Sequence, residues 1–299
     1  MQPDKNSETN ILVLGASGML GAALYSTLPQ VNSTYRVFGT HRTGSAVPVN
    51  GDRMHEVVLD DIFNARAVRN IFKENKIHVV INAIGLIKQI GHNLTQSDFV
   101  RLNTWLPHFI SGICDEFGAR FIEISTDCVF TGENGNYSEE DTPNATDLYG
   151  RSKLLGEVTD KTNAITIRTS IIGHESGRSA SLIDWFLSTS GDVNGYERAI
   201  FSGFPTVVLA GIIGNFIIPR TDLNGLYHVS AKPIDKLSLL TLVSKVYDHK
   251  VKIIPKSNPV IDRSLNSLKF RDATGFAPMD WLEMVEKMKI QRPVWSENE

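Results

Sequence analysis

The stretch Ile11-Leu12-Val13-Leu14-Gly15-Ala16-Ser17-Gly18-Met19-Leu20-Gly21 decides the fold. Four apolar residues without interruption suit a short parallel strand buried on both faces. The pattern after them is G-x-x-G-x-x-G. In such a loop the first glycine allows a tight turn, the middle one lets a pyrophosphate approach the backbone, and the last lets helix and strand pack closely. The helix that opens there presents free N–H groups and a positive dipole end to phosphate. Incidental glycines at a helix entry are the plainer alternative, but the strand–loop–helix order favours a nucleotide. Gly15, Ser17, Gly18, Met19, Leu20 and Gly21 are therefore expected to line a dinucleotide.

Outward from this loop, short apolar strands alternate with helices. Strands are expected at 11–14, 35–40, 56–59, 78–83, 120–125 and 164–169. Helices are expected at 19–28, 65–73 and 97–117, and one carries Tyr149 and Lys153. This rhythm argues for an α/β fold, a Rossmann-type doubly wound parallel sheet. After Ile172 the rhythm changes. A helix is expected at 179–188, a turn-rich crossing at 201–205, a strand at 225–230, a helix at 236–247 and then a polar C-terminal region. A smaller C-terminal domain that interleaves with the sheet fits this better than a clean boundary.

The chain has 299 residues, 41% hydrophobic and 21% charged, with a net charge of -3. These are ordinary values for a soluble globular protein, long enough for a sizeable core. Nothing in the charge balance points to nucleic acid or a membrane as partner. Residues 207–219 are apolar but too short and glycine-interrupted to span a bilayer. Residues 1–9 read as a disordered tail without a signal core. The two cysteines, Cys114 and Cys128, suggest no structural disulfide and a cytoplasmic setting. No His cluster with metal-ligand spacing stands out.

The end of the second strand bears on cofactor choice. A loop that selects NAD usually has an acid about 20 residues on. Here the sequence is Gly39-Thr40-His41-Arg42-Thr43. Arg42, helped by His41 or Thr43, suits a 2′-phosphate, so NADP(H) is expected over NAD(H). Asp61 and Ile62 follow the third strand, where the adenine edge would lie.

Tyr149-Gly150-Arg151-Ser152-Lys153 sets a phenol and an ammonium one helical turn apart. With 7 Tyr and 30 Lys+Arg in the chain, such spacing alone could arise by chance. Its weight comes from the glycine loop and from Ser125-Thr126-Asp127, at the end of the fifth strand. Ligands in open α/β sheets bind along that carboxyl edge. Thr126, Tyr149 and Lys153 together suit hydride transfer to a carbonyl. Tyr149 would protonate the developing alkoxide, Thr126 would hydrogen-bond it, and Lys153 would bind ribose hydroxyls and lower the phenol pKa.

The chain resembles the extended short-chain dehydrogenases/reductases, and within them the dTDP-4-dehydrorhamnose reductase group. The resemblance rests on residues 125–132, 137–143 and 149–153, with Gly156-Glu157. Asn82-Ala83, Asn103 and Arg168-Thr169-Ser170 also match. Phe204-Pro205-Thr206 and Arg263 with Asn266-Ser267 are similar to two later family segments. The resemblance implies that Asn82, Ala83, Ile84, Asn103 and Thr169 border the cofactor. It implies that Lys88, Asp127, Cys128, Ile171, Thr206 and Arg263 border a nucleotide-sugar substrate. It also implies a cofactor domain at 10–172 and about 206–231, and a sugar-nucleotide domain at about 173–205 and 232–299. A homodimer is left open.

Three positions depart from the group's pattern. Cys128 stands where a Tyr is usual, Ile171 where a Trp is usual and Ser264 where a Pro is usual. The first two imply a remodelled sugar pocket. The expected activity is NADPH-dependent reduction of the 4-keto group of a nucleotide-activated 6-deoxy sugar, in surface-polysaccharide synthesis. The alternatives are a sugar-nucleotide epimerase and a non-catalytic regulatory subunit that binds the same ligands. A dehydratase is disfavoured because Cys128, not Glu, follows Asp127. His174 is either a substrate contact or a loop histidine satisfied by its neighbours.

Overall fold

The computed structural model describes residues 8–45, 47, 49–87, 94–175 and 181–291. The first half builds one sheet. Its strands are β1 (Thr9–Leu14), β2 (Tyr35–His41), β3 (Met54–Val58), β4 (Val79–Asn82), β5 (Arg120–Thr126) and β6 (Ala164–Thr169). Between them run α1 (Met19–Val31), α2 (Ala65–Asn75), α3 (Gln96–Phe99), α4 (Leu106–Phe117) and α5 (Leu148–Leu155). A π-helical turn, Val100–Trp105, joins α3 to α4. β7 (Ile171–Ile172), α6 (Leu182–Ser188), β8 (Val193–Tyr196), β9 (Ala199–Phe201), β10 (Phe204–Pro205) and α7 (Thr206–Ile212) follow. The chain ends with β11 (Gly225–His228), β12 (Ile234–Asp235), α8 (Lys236–Tyr247), β13 (Ile253–Lys256), β14 (Ile261–Asp262), α9 (Leu268–Thr274) and α10 (Trp281–Ile290).

Seven strands form the main sheet in the order β11-β6-β5-β4-β1-β2-β3, and every pairing in it is parallel. The strand order reverses between β1 and β4, which places the glycine loop at the switch point where such sheets bind ligands. Alternation along β1 explains why its apolar run is unbroken. Ile11 and Val13 enter one core with Leu24, Leu28 and Val37. Leu12 and Leu14 enter the opposite core with Val68, Phe72, Leu106 and Ile110. Both faces are covered, which favours an unbroken apolar run.

The expected strands and helices of the first half are present, with shifted ends. α1 continues to Val31, past buried Pro29 in its last turn. The third strand starts two residues earlier than expected, at Met54. The apolar stretch after residue 206 is α7 and a second π-helical segment, Ile213–Ile217, packed against the sheet. Among the described residues no helix is long and apolar enough to cross a membrane.

The later region holds more structure than the sequence suggested. The expected turn-rich crossing contains the end of β9 and all of β10. The polar C-terminal stretch yields two strands and two helices. Small sheets tie it together: β10-β7, β12-β9-β14 and β13-β8. A separate core of Ile183, Phe186, Val193, Phe201, Leu239, Val243 and Met288 lies there. The helix expected from 179 begins at Leu182, with Ser181 as its cap; residues 176–180 lie outside the described ones.

Candidate active site

The glycine loop is built by close approach. A Cβ at Gly21 would lie 1.9 Å from the Gly15 carbonyl oxygen, so only glycine lets α1 begin this near the strand end. Gly15 N–H donates to Thr40 Oγ1 at 3.0 Å, which ties the loop to β2. No side chain caps α1, and Ser17 and Gly18 are exposed. The first N–H groups of this helix thus face outward with no side-chain acceptor.

At the end of β2 the expected residues are only partly brought together. Arg42 and Thr43 are exposed. His41 is buried, its Nε2 has no hydrogen-bond partner, and Glu56 Oε1 is 3.8 Å away. Thr43 is occupied: its N–H and its hydroxyl donate to Asp60 at 2.7 and 3.0 Å. These bonds hold the exposed Asp60 carboxyl below its usual range, with His41 and Arg42 adding to the effect. The sequence showed no acid in β2, but the end of β3 supplies one. Asp61 accepts from Phe63 N–H, while the cap of α2 is Asn64. Ile62 packs against the second core.

β4 and β5 carry a buried polar group. Asn82 Nδ2 donates to Glu123 Oε2 at 2.7 Å, and Lys153 Nζ donates to Glu123 Oε1 at 2.8 Å. All three residues are buried. Burial pushes the Glu123 carboxyl upward, against the pull of Lys153 and Asn82. Asn82 Oδ1 accepts from Ile84 N–H, and Ala83 N–H donates to the Leu14 carbonyl, so the loop after β4 is stitched to β1. Asn103, in the π-helical turn, is a clip: it accepts from Leu86 N–H and donates to Leu86 O and Ser152 Oγ.

Tyr149 and Lys153 lie on α5, which Asp147 caps through Gly150 N–H. Gly150 lets α5 sit against the turn after β5, because a Cβ there would be 2.2 Å from the Cys128 carbonyl oxygen. That turn, Asp127–Val129, starts at Thr126, whose Oγ1 accepts from Cys128 N–H at 3.1 Å. Burial pushes the Tyr149 phenol well above its ordinary pKa, and the negative charge available to Cys128 adds to it; the Thr126 hydroxyl beside it pulls the other way. The expected lowering by Lys153 is therefore not seen. The ammonium is committed to Glu123. Burial likewise raises the Cys128 thiol to about 12, so it is no thiolate nucleophile near neutrality.

The expected substrate residues fall in two groups. Asp127 is buried and Cys128 partly so, and both act electrostatically on Tyr149. Ile171 pairs with Phe204 across β7–β10, and Thr206, the first residue of α7, lies against Gly173, where a Cβ would crowd its Oγ1. Buried Thr169, at the end of β6, pairs with Thr126. Arg263 donates through Nε to the Phe130 carbonyl and acts electrostatically on Asp127. Lys88 lies outside the described residues. His174 is satisfied by Asp184 and Tyr247, at 2.5 and 2.8 Å, and is buried. Among the described residues no group of three His, Cys, Asp or Glu could hold a metal.

Three residues of this region were not singled out from sequence: Asp60, Glu123 and Lys236. Glu123 did leave a signal. A lone carboxylate inside Phe-Ile-Glu-Ile, in a sheet covered on both faces, must have a buried partner.

The profile of the RmlD substrate binding domain matches residues 9–288. dTDP-4-dehydrorhamnose reductase of Aggregatibacter actinomycetemcomitans is 24% identical over 309 aligned positions, covering 93% of this chain and 98% of that one. The probable low-salt glycan biosynthesis reductase Agl14 of Haloferax volcanii is 32% identical over 184 residues. That match spans 59% of each chain, less than two thirds of the relative's length. Among solved structures, dTDP-4-dehydrorhamnose reductase of Bacillus anthracis, in complex with NADP, superposes with a TM-score of 0.76 at 21% identity. The superposition covers 95% of this chain and 99% of that one, a likeness of fold.

Proposed function

The chain belongs to the RmlD substrate binding domain family, and from that premise we propose that it is an oxidoreductase that reduces a nucleotide-activated sugar. The finer reading is NADPH-dependent reduction of the 4-keto group of a 6-deoxy sugar, in the synthesis of a surface polysaccharide. The reductases among its relatives support the coarser statement.

One observation carries the reading: the Tyr149 phenol beside the Thr126 hydroxyl, at the carboxyl end of β5, with burial raising its pKa above the ordinary value. A carbonyl that gains a hydride at carbon needs a proton at oxygen, and a neutral phenol is the form that gives one. Tyr149 is the proton donor in this reading, and Thr126 hydrogen-bonds the same oxygen as charge builds on it. Lys153 holds its place through Glu123 and faces the ribose end.

The residues present fit a dinucleotide. The uncapped start of α1, at Ser17 to Leu20, suits a diphosphate, and buried His41 offers an Nε2 with no hydrogen-bond partner. Arg42 with His41 would take a 2′-phosphate; Asp61 and Ile62 would border the adenine; Asn82, Ala83, Ile84 and Thr169 would border the nicotinamide end. When bound, a reduced nicotinamide supplies the hydride. Residues 10–172 and 206–231 would form the cofactor lobe, and the remainder the sugar-nucleotide lobe.

The test is a panel of 4-keto sugar nucleotides with NADPH, followed by cofactor absorbance and product identification. Turnover with at least one keto sugar is expected; none with any would sink the reading. A second reading, an epimerase that retains NAD, draws on one observation: Asp60 puts a carboxylate beside Arg42. Purified protein that carries bound NAD would favour it.

A further inference from the structure

Lys236 is the first residue of α8, directly after β12. β12 and β14 flank the same strand: Asp235 and Asp262 both pair with Ile200 of β9. The next residues along the chain are Lys236 and Arg263; β12 runs antiparallel to β9 and β14 parallel to it, so the register carries Lys236 toward Ala199 and Arg263 toward Phe201. The Lys236 ammonium lies 3.8 Å from the centre of the Phe201 ring, which holds its stem and part of its charge.

Both cations look toward Asp127. Its buried carboxylate feels Arg263 and Lys236, and Lys236 in turn feels Asp127 and Cys128. Among the described residues the Lys236 ammonium donates no hydrogen bond, and Arg263 uses only Nε, on the Phe130 carbonyl at 2.9 Å. Two cations thus act on one buried carboxylate, and among the described residues Lys236 has no carboxylate within salt-bridge distance. Desolvation takes the Lys236 pKa down to about 8, with Asp127 and Cys128 offsetting it in part. A desolvated cation without a full counter-charge is costly, and it is tolerated where an anion arrives.

We propose that Lys236 contacts the substrate directly and, with Arg263, takes an anionic oxygen group of the nucleotide sugar. This deepens the sugar-nucleotide reading and rests on it. A nucleotide sugar has two sources of such a group, its diphosphate and a carboxylate on the sugar ring. Neither cation lies in the glycine-loop region, so cofactor binding is independent of them.

Calorimetric titration of NADPH-saturated protein tests this, with UDP, dTDP, UDP-glucose and UDP-glucuronate as probes. Lys236→Met is expected to weaken the probe that engages the cation by about tenfold or more, the range for a charged hydrogen bond. Lys236→Arg should retain most of the affinity, and neither variant should change NADPH affinity. A loss with every probe assigns the diphosphate; a loss confined to UDP-glucuronate assigns the carboxylate. Equal affinities of wild type and Lys236→Met overturn the inference and leave the reductase reading standing. A parallel loss of NADPH affinity also overturns it, because that marks general disruption. A wild type that binds none of the probes overturns it together with the sugar-nucleotide reading.

Discussion

Lys153 Nζ donates to Glu123 Oε1 at 2.8 Å, with the two side chains 6% and 1% exposed. This contact changes how the Tyr-x-x-x-Lys spacing works. A free ammonium one turn away would stabilise the phenolate. An ammonium neutralised by a buried carboxylate does so far less, and the Tyr149 phenol stays in its proton-bearing form. The arrangement suits proton delivery, and so reduction, better than proton removal.

The first prediction follows from that pair. In Glu123→Gln the amide keeps the shape and the Asn82 contact region but leaves Lys153 with an uncompensated charge. The phenol pKa should fall, so the basic limb of the reduction profile should move to lower pH, by roughly one unit or more. Oxidation of the alcohol product should speed up in the same variant. Profiles of turnover against pH for the two proteins check this; superimposable profiles would remove Glu123 from the proton chemistry.

Tyr149→Phe removes the proton donor and leaves the glycine loop untouched. NADPH affinity should be retained, while turnover should drop by roughly a hundredfold or more if general acid catalysis is lost. Cofactor titration and single-turnover rates measure the two quantities separately. Unchanged turnover would mean that another group delivers the proton.

Cofactor preference should respond to Arg42 and Asp60 in opposite directions. Arg42→Ala should weaken NADPH by roughly tenfold to a hundredfold and NADH much less, the loss expected for a charged hydrogen bond. Asp60 is fully exposed and opposes a 2′-phosphate only weakly, so Asp60→Asn should favour NADPH by roughly two- to fivefold. Equal losses of both cofactors in Arg42→Ala would take that residue out of the 2′-phosphate site.

The seven-stranded sheet was readable because short, largely apolar strands alternate with helices along the chain and the glycine loop follows the first of them. The second region was not. Its strands are two to four residues long, too short for any period to show. Their partners are also far along the chain, as when Val193 pairs with Ile253. The site divides the same way. Tyr149 and Lys153 share one helix, so spacing reveals them. Asp60 reaches Thr43 only because β3 lies beside β2. Lys236 and Arg263 act on Asp127 from more than a hundred residues along the chain, a relationship that no local pattern encodes.

His228 gives a stability prediction with a definite sign. It is fully buried, and Nδ1 pairs with the Tyr137 carbonyl while Nε2 faces Arg168 NH1 at 3.3 Å. The neutral ring satisfies both, donating from Nδ1 and accepting at Nε2. Burial lowers its pKa from 6.5 to about 4, and the Arg168 charge adds to this. The unfolded chain therefore binds the proton first. Stability is fully present above pH 6.5 and is lost as pH falls toward about 4. The shift corresponds to at most about 3 kcal/mol. His228→Asn keeps a donor toward Tyr137 but does not titrate, so its stability should fall less steeply across that window, whatever its stability at neutral pH. Thermal unfolding of both proteins at several pH values reads the difference, and parallel curves would exclude His228 as its source.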